Sequence, residues 1–190
     1  LTEKKRTEGH LFFNLDKNLD LKNFSNSKVN LTFEQVSNDT YLKANKLNSP
    51  IIKDFDVLKN SIELNMYSED TSIDTDFIIY EKLNKQSSDK YEFIFPRIEI
   101  SKIIENKTAL DGYFKIESAN FIHNYNTNIY ERINTNNLIF NSDPKITKNG
   151  FSNNFEFIIK NSNTNSQKSV INKEGGDHYL SGLFQLNSNY

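Results

Sequence analysis

Apolar and polar side chains alternate with a period of two along most of this chain. Lys28 to Gln35 shows it most cleanly, with Val29, Leu31 and Phe33 set against Asn30, Thr32 and Glu34. Period two over that length predicts a strand with one apolar and one polar face. Ser61 to Tyr67 repeats the pattern, Ile62, Leu64 and Met66 lying opposite Glu63, Asn65 and Tyr67. The stretch from Tyr91 to Phe121 is the most informative. Tyr91, Phe93 and Phe95 share one face, and Glu92 and Ile94 the other. Pro96 interrupts, and the alternation resumes in a new phase at Ile98 and Ile100. Proline has no N–H to donate, so Pro96 belongs at an edge, a bulge or a strand end. A polar linker ending at Gly112 leads to a second run, with Phe114 and Ile116 against Lys115 and Glu117. Two antiparallel strands are predicted here.

The remaining elements are weaker. His10 to Asp16 and Asn18 to Phe24 read as two short strands around Lys17-Asn18. Val36 to Lys43 reads as a strand breaking into a loop, and Asn45 to Asp56, with Pro50, as a long connection. The acidic stretch Glu69 to Asp76 reads as a loop before a strand at Phe77 to Tyr80, and Leu83 to Lys90 as another loop. His123 to Arg132 and Ile133 to Phe140 could each hold a strand. Ser142 to Gly150, with Asp143-Pro144 and Asn149-Gly150, is a turn region. Phe151 to Lys160 is a strand, Asn161 to Asp177 a polar segment, and His178 to Asn187 a last strand with Leu180, Gly182, Phe184 and Leu186 in phase. Helical periodicity is not sustained anywhere. The expected fold class is all-β: about eight to ten short antiparallel strands joined by loops of uneven length.

Composition narrows the picture. Aromatics make up 13% of the 190 residues, which separates the chain from disordered sequences poor in such side chains. A formal net charge of −2 supplies no basic field for nucleic acid. With no cysteine, disulfides and thiolate chemistry are excluded within this segment. The chain opens on Leu1 without a signal peptide, and we read it as an internal piece of something longer.

Candidate chemistry is sparse. Glu69, Asp70, Asp74 and Asp76 could attract a divalent cation, yet they lack calcium-loop spacing, and a solvated loop is the better reading. His10, His123 and His178 are far apart and none is at metal-ligand spacing to another, so they read as strand or surface histidines. Gly175-Gly176 reads as a turn, since no Lys-Ser/Thr pair or helix follows it. Glu92 and Glu99 could serve as acid and base, but any β protein of this size offers such pairs. The expectation is a protein that is not an enzyme, with no catalytic residue, metal or cofactor.

The hydrophobic fraction of 36% is lean for a sheet that must bury one face of every strand in water. A membrane barrel turns its apolar residues to lipid and its polar ones to the lumen, on strands of about 9–11 residues, with aromatics at both interfaces. Its turns are short at one end and its loops long at the other, which would suit the uneven loops here. Val29, Leu31 and Phe33 are then candidate lipid-facing residues.

Two stretches resemble a known family. Phe33-Glu-Gln-Val-Ser-Asn-Asp-Thr-Tyr-Leu42 resembles the strand-to-loop segment ending Val-Ser-Asp-Asp-Thr-Tyr-Leu of the LptD family of outer-membrane lipopolysaccharide assembly proteins (organic solvent tolerance proteins). The matching positions are Ser37, Asn38, Asp39, Thr40, Tyr41 and Leu42, with Asn38 where Asp is usual. Tyr91 to Ser101 resembles the family's apolar run into Leu-Pro-Arg/Leu, with Pro96 in place. Leu110 to Ile116 is similar to the following Leu-Gly-Gly strand, with Gly112 in place and Asp111 for the first Gly. Arg132 and Gly9-His10 are further similarities, and together these cover about Gly9 to Phe157. The family's usual Trp residues are absent, and Phe and Tyr would have to anchor the wall instead.

The resemblance implies that residues 1–190 are an internal segment of a large transmembrane barrel in the outer membrane of a Gram-negative bacterium, without the periplasmic jellyroll or the lateral seam. It implies transport of lipopolysaccharide into the outer leaflet, with an LptE-like plug lipoprotein and periplasmic lipopolysaccharide bridge proteins as partners. The alternatives are another outer-membrane channel or receptor barrel, or a soluble secreted β-sandwich serving as a carbohydrate-binding or adhesion module.

Overall fold

The computed structural model describes residues 8–46, 54–86, 89–107, 111–126 and 128–190. Residues 1–7, most of the Asn45–Asp56 connection with Pro50, and Leu110 lie outside them. The all-β expectation holds: 71% of residues are in strands, in one antiparallel sheet that does not close. The strands are β1 (His10–Asn18), β2 (Asn26–Val36), β3 (Val57–Tyr67), β4 (Thr71–Lys82), β5 (Tyr91–Asn106), β6 (Gly112–Tyr125), β7 (Ile129–Ser142), β8 (Lys145–Ile146), β9 (Ser152–Gln167) and β10 (Gly175–Asn189). They pair in chain order, β1-β2-β3-β4-β5-β6-β7-β9-β10, with the two-residue β8 set aside on β9.

Several strands are longer than their patterns suggested, β5 and β9 reaching 16 residues. Ile133 does not begin a new strand. β6 runs on to Tyr125, and β7 begins at Ile129, whose N–H reaches the Asn126 carbonyl at 3.2 Å. Asn161 to Gln167 is not loop but the second half of β9, paired with β7 on one side and β10 on the other. Gly175-Gly176 opens β10 instead of forming a turn on its own. The acidic stretch is also not one loop. Only Ser68–Asp70 turn, while Asp74 and Asp76 sit inside β4. Asn18 to Phe24 is the opposite correction: beyond Asn18 the chain turns, with the Leu19 N–H on the Ser27 carbonyl and the Phe24 N–H on the Leu21 carbonyl.

Pro96 does what its chemistry requires. The β5–β6 ladder loses register between Ile94 and Arg97, and the β4–β5 ladder between Asp76 and Ile78. The missing N–H falls in this bulge, and the outward set changes from Tyr91, Phe93 and Phe95 to Ile98 and Ile100. Gly112 answers to sterics. At φ +154 a Cβ there would stand 2.2 Å from the Asn141 carbonyl oxygen on β7.

A helix also forms where none was expected. α1 (Tyr41–Asn45) follows a turn in which Asn38 Oδ1 accepts the Thr40 N–H at 3.1 Å and its hydroxyl at 3.0 Å. The turn delivers Leu42 onto Leu58 and Leu83, all nearly inaccessible, with Phe12, Val36 and Tyr41 around them. This small cluster fills a wedge, since the β2–β3 ladder stops at Thr32 opposite Ser61 while both strands continue. The parted backbones are patched by side chains. Glu34 Oε2 accepts the Lys59 N–H at 2.6 Å, and Asn60 Oδ1 accepts the Glu34 N–H at 2.9 Å.

Candidate functional site

The notable surface is the sheet itself, because its two faces differ in kind. The register places Val29, Leu31 and Phe33 on the same face as Leu11, Phe13 and Leu15 of β1 and Ile62, Leu64 and Met66 of β3. Carried across all ladders, that face takes ten of the twelve phenylalanines in strands, Phe12 and Phe121 being the exceptions. Its strand charges are Lys17, Glu81, Lys102, Arg132 and, on the short β8, Lys145 opposite Asn153. Ile62, in the middle of the sheet, is 54% exposed, and Phe33, Phe95, Ile100 and Ile116 are exposed too. Large apolar side chains therefore recur on this face from strand to strand across the sheet.

The field is a belt, and it runs obliquely. One hydrogen-bonded row reads Lys17, Val29, Leu64, Thr75, Ile98, Asn120, Asn134, Asn163, His178 from β1 to β10. It begins on a charge, crosses Val29, Leu64, Thr75 and Ile98, and ends on three amides and the His178 imidazole. In β1 the apolar run centres on Phe13, four residues to one side of the row. In β10 it centres on Phe184, six residues to the other side. A drift of about ten residues at ~3.3 Å each, over eight steps of ~4.8 Å, corresponds to strands inclined about 40° to the belt's normal. Strands of closed membrane barrels tilt by ~35–45°.

The opposite face is charged and internally braced. Buried Asp76 (4% exposed) holds Arg97 through Nε at 2.7 Å and also through Nη2. Lys82 Nζ meets Glu92 at 2.9 Å, Glu92 Oε1 lies 2.9 Å from His123 Nε2, and His123 Nδ1 faces Glu131 at 3.6 Å. That chain bridges β4, β5, β6 and β7. The Ser169 hydroxyl, from the β9–β10 loop, donates to Glu131 at 2.5 Å, as does Tyr125 at 3.3 Å. Lys28 pairs with Asp16, Lys59 with Glu63, and Lys115 with Glu117. Carboxylates on this face (Asp16, Glu34, Glu63, Asp74, Asp76, Glu92, Glu99, Glu105, Glu117, Glu131, Glu156, Asp177) outnumber cations (Lys28, Lys59, Lys82, Arg97, Lys115, Lys160) two to one. A hollow of about 790 Å³ lies beside the β2–β3 wedge, lined by Asp16, Asn30, Glu34, Lys59 and Tyr80.

The residues singled out in the sequence fall as follows. Ser37 to Leu42 form one structural corner. The Ser37 hydroxyl takes the Gly9 N–H at 3.0 Å, Asp39 pairs with Lys90 at 2.8 Å, and the Tyr41 hydroxyl lies 3.3 Å from His10 Nδ1. Lys90 also pairs with Glu81 at 2.9 Å, and these partners hold its ammonium charged above its ordinary range. Pro96 and Gly112 stand apart from that corner, on the β5 bulge and at the start of β6. Asp74 accepts from Asn65 and the Tyr67 hydroxyl, while Asp70 stays in its turn, so the acidic group does not converge. Among the described residues no group of three or more His, Asp or Glu is arranged to hold a metal ion. His123 was missed as a brace. Its partners come from Glu92 and Glu131, 31 and 8 positions away, and only strand register brings them together.

No protein-family model matches the chain, and no curated protein matches it.

Proposed function

We propose that this chain is a section of the wall of an outer-membrane β-barrel, with the phenylalanine-rich face toward lipid and the ion-paired face toward the lumen. The oblique apolar belt carries the reading. A soluble sheet hides its apolar face beneath a second layer, and a two-layer core has no reason to keep a straight belt across tilted strands. Its protein is an outer-membrane translocon that inserts lipopolysaccharide into the outer leaflet, as the LptD-like stretches suggest, with an LptE-like plug and periplasmic bridge proteins as partners. In that setting the acyl chains would leave sideways while the hydrophilic part passes the polar face. The belt supports the barrel; the lipopolysaccharide rests on the resemblance alone.

One observation favours a second reading. Lipopolysaccharide is an anion, whereas this face carries twice as many carboxylates as cations, which suits an outer-membrane channel for cations. The soluble β-sandwich loses ground, because the described residues supply no second layer.

Fractionation of native cells separates these. Antibody to this segment should find a heat-modifiable band in the outer membrane, and depletion should leave lipopolysaccharide off the cell surface. An outer-membrane band with surface lipopolysaccharide intact would select the channel. A soluble band would overturn the barrel altogether.

A further inference from the structure

One hollow near the end of the outer face sets aromatic rings and free amides side by side. β5, β6, β7 and β9 bring Phe93, Asn124, Tyr130 and Gln167 into a single ladder row. Aromatic and amide side chains therefore alternate across four strands, around a hollow of about 440 Å³ that Tyr91 and Asn128 also line. Asn124, Asn128 and Gln167 are exposed, and among the described residues no side chain bonds their amides. The asparagines nearer the belt are tied instead, Asn136 to Asn134 and Asn163 to Asn161. On β7, Tyr130 stands eight residues from Leu138, about 26 Å along the strand, so it is not part of the belt.

The lining selects a ligand by elimination. It offers no Lys or Arg to an anion and no Asp or Glu to a cation. A wholly apolar ligand would strip water from the amides and replace it with nothing. Phe93 and Tyr130 are two strand spacings apart, about 9.6 Å, with the short Asn124 between them, which leaves room for one saturated ring flanked by two aromatic ones. A pyranose ring has what both kinds of side chain need: C–H faces that pack on aromatic rings, and a rim of hydroxyls that donate to and accept from amides.

We propose that this row is a binding site for an uncharged pyranose unit of a glycan. Phe93 and Tyr130, with Tyr91 beyond, take the C–H faces, and Asn124, Asn128 and Gln167 take the hydroxyls. The site rests on strand register and not on the barrel reading, so the two stand or fall separately.

Saturation-transfer NMR tests it, on the native full-length protein in zwitterionic micelles free of sugar head groups, with cellobiose and N,N′-diacetylchitobiose as probes. Transfer to the ring C–H protons is expected. Tyr130→Ala and Asn124→Leu should each weaken binding about tenfold, while Tyr179→Ala, at an exposed aromatic on the opposite face, should leave it unchanged. Should Tyr130→Ala fold poorly, Gln167→Leu at the exposed end of the row replaces it. Preference for diacetylchitobiose assigns a glycan of N-acetylated amino sugars, and preference for cellobiose a plain hexose chain; either supports the site. No transfer to either sugar, binding that survives both Tyr130→Ala and Asn124→Leu, an equal loss in Tyr179→Ala, or tighter binding of glucose 6-phosphate than of cellobiose would overturn it.

Discussion

Placing a charge on the belt tests the oblique geometry directly. Ile62 is the natural site, since it lies in the middle of the belt in β3, between Leu31 on β2 and Phe77 on β4. Asn163 provides the contrast: the same face, another interior strand, but on the row where the belt has moved away. Against lipid, an arginine at the midplane costs roughly 2–4 kcal/mol, falling to about 0–1 near the interface. In water, an already exposed position such as Ile62 would change stability by no more than about 0.5 kcal/mol. The expected result is therefore a loss of about 2–4 kcal/mol for Ile62→Arg and about 0–1 for Asn163→Arg. Leu31→Arg should follow Ile62, and Phe184→Arg should show the same midplane cost six residues beyond His178. The assay is a urea titration of the whole protein folding into lipid vesicles, followed by far-ultraviolet circular dichroism and heat-modifiable migration. Equal costs at Ile62 and Asn163, or a cost at Ile62 within 0.5 kcal/mol of zero, would refute the belt.

Other substitutions probe the scaffold. Gly112→Ala sets a methyl 2.2 Å from the Asn141 carbonyl oxygen, which cannot rotate away, and should lower stability by about 1–3 kcal/mol in the same titration. Arg97→Ala strands the buried Asp76 carboxylate. Because Arg97 is half-exposed, the loss should be roughly 1–3 kcal/mol rather than the full cost of a buried pair, and adding Asp76→Asn should restore part of it. Lys90 has its pKa raised by Asp39 and Glu81, so its contribution is complete below its ordinary value of 10.5 and is lost as pH climbs through the raised one. Proteolysis of the 83–90 loop should accelerate only at strongly alkaline pH, while Lys90→Met should show the faster cleavage already at neutral pH.

Alternation was readable where each face had one chemistry, as in Val29 to Phe33 and Ile62 to Met66. Even the change of phase at Pro96 could be seen, because an imino acid has one few-cornered role in a ladder. The acidic and amide-rich stretches misled for a physical reason. Asp74 and Asp76 look like loop residues because charges leave most strands, yet here they occupy the polar face and find Tyr67, Asn65 and Arg97 as partners. α1 was hidden because five residues carry no helical period, and its stability comes from Leu42 on Leu58 and Leu83, a contact that only the wedge creates. Loop lengths did not sort cleanly either. The connection between β2 and β3 is 20 residues long, but other connections leaving the same end of the sheet, such as the one between Tyr125 and Ile129, are as short as those opposite.

The asparagines on the outer face complete the geometry. Asn134 pairs across the ladder with Asn163, and Asn136 with Asn161. Along their own strands Asn136 donates to Asn134 at 2.8 Å, and Asn163 to Asn161 at 2.7 Å. Amides facing hydrocarbon would be costly even when bonded to one another, so on the barrel reading this patch would lie beyond the lipid. Strand length agrees. Sixteen residues of β9 extend ~53 Å, and at a tilt of about 40° they rise about 40 Å, against an apolar band ~25 Å tall. In a membrane wall some 15 Å of strand would then stand clear of the bilayer, and the part of β9 remote from Phe155, Phe157 and Ile159 is the Asn161–Asn165 run. On the barrel reading, the amides that looked like turn signals are where a tilted strand would leave the bilayer and the sheet would continue in water.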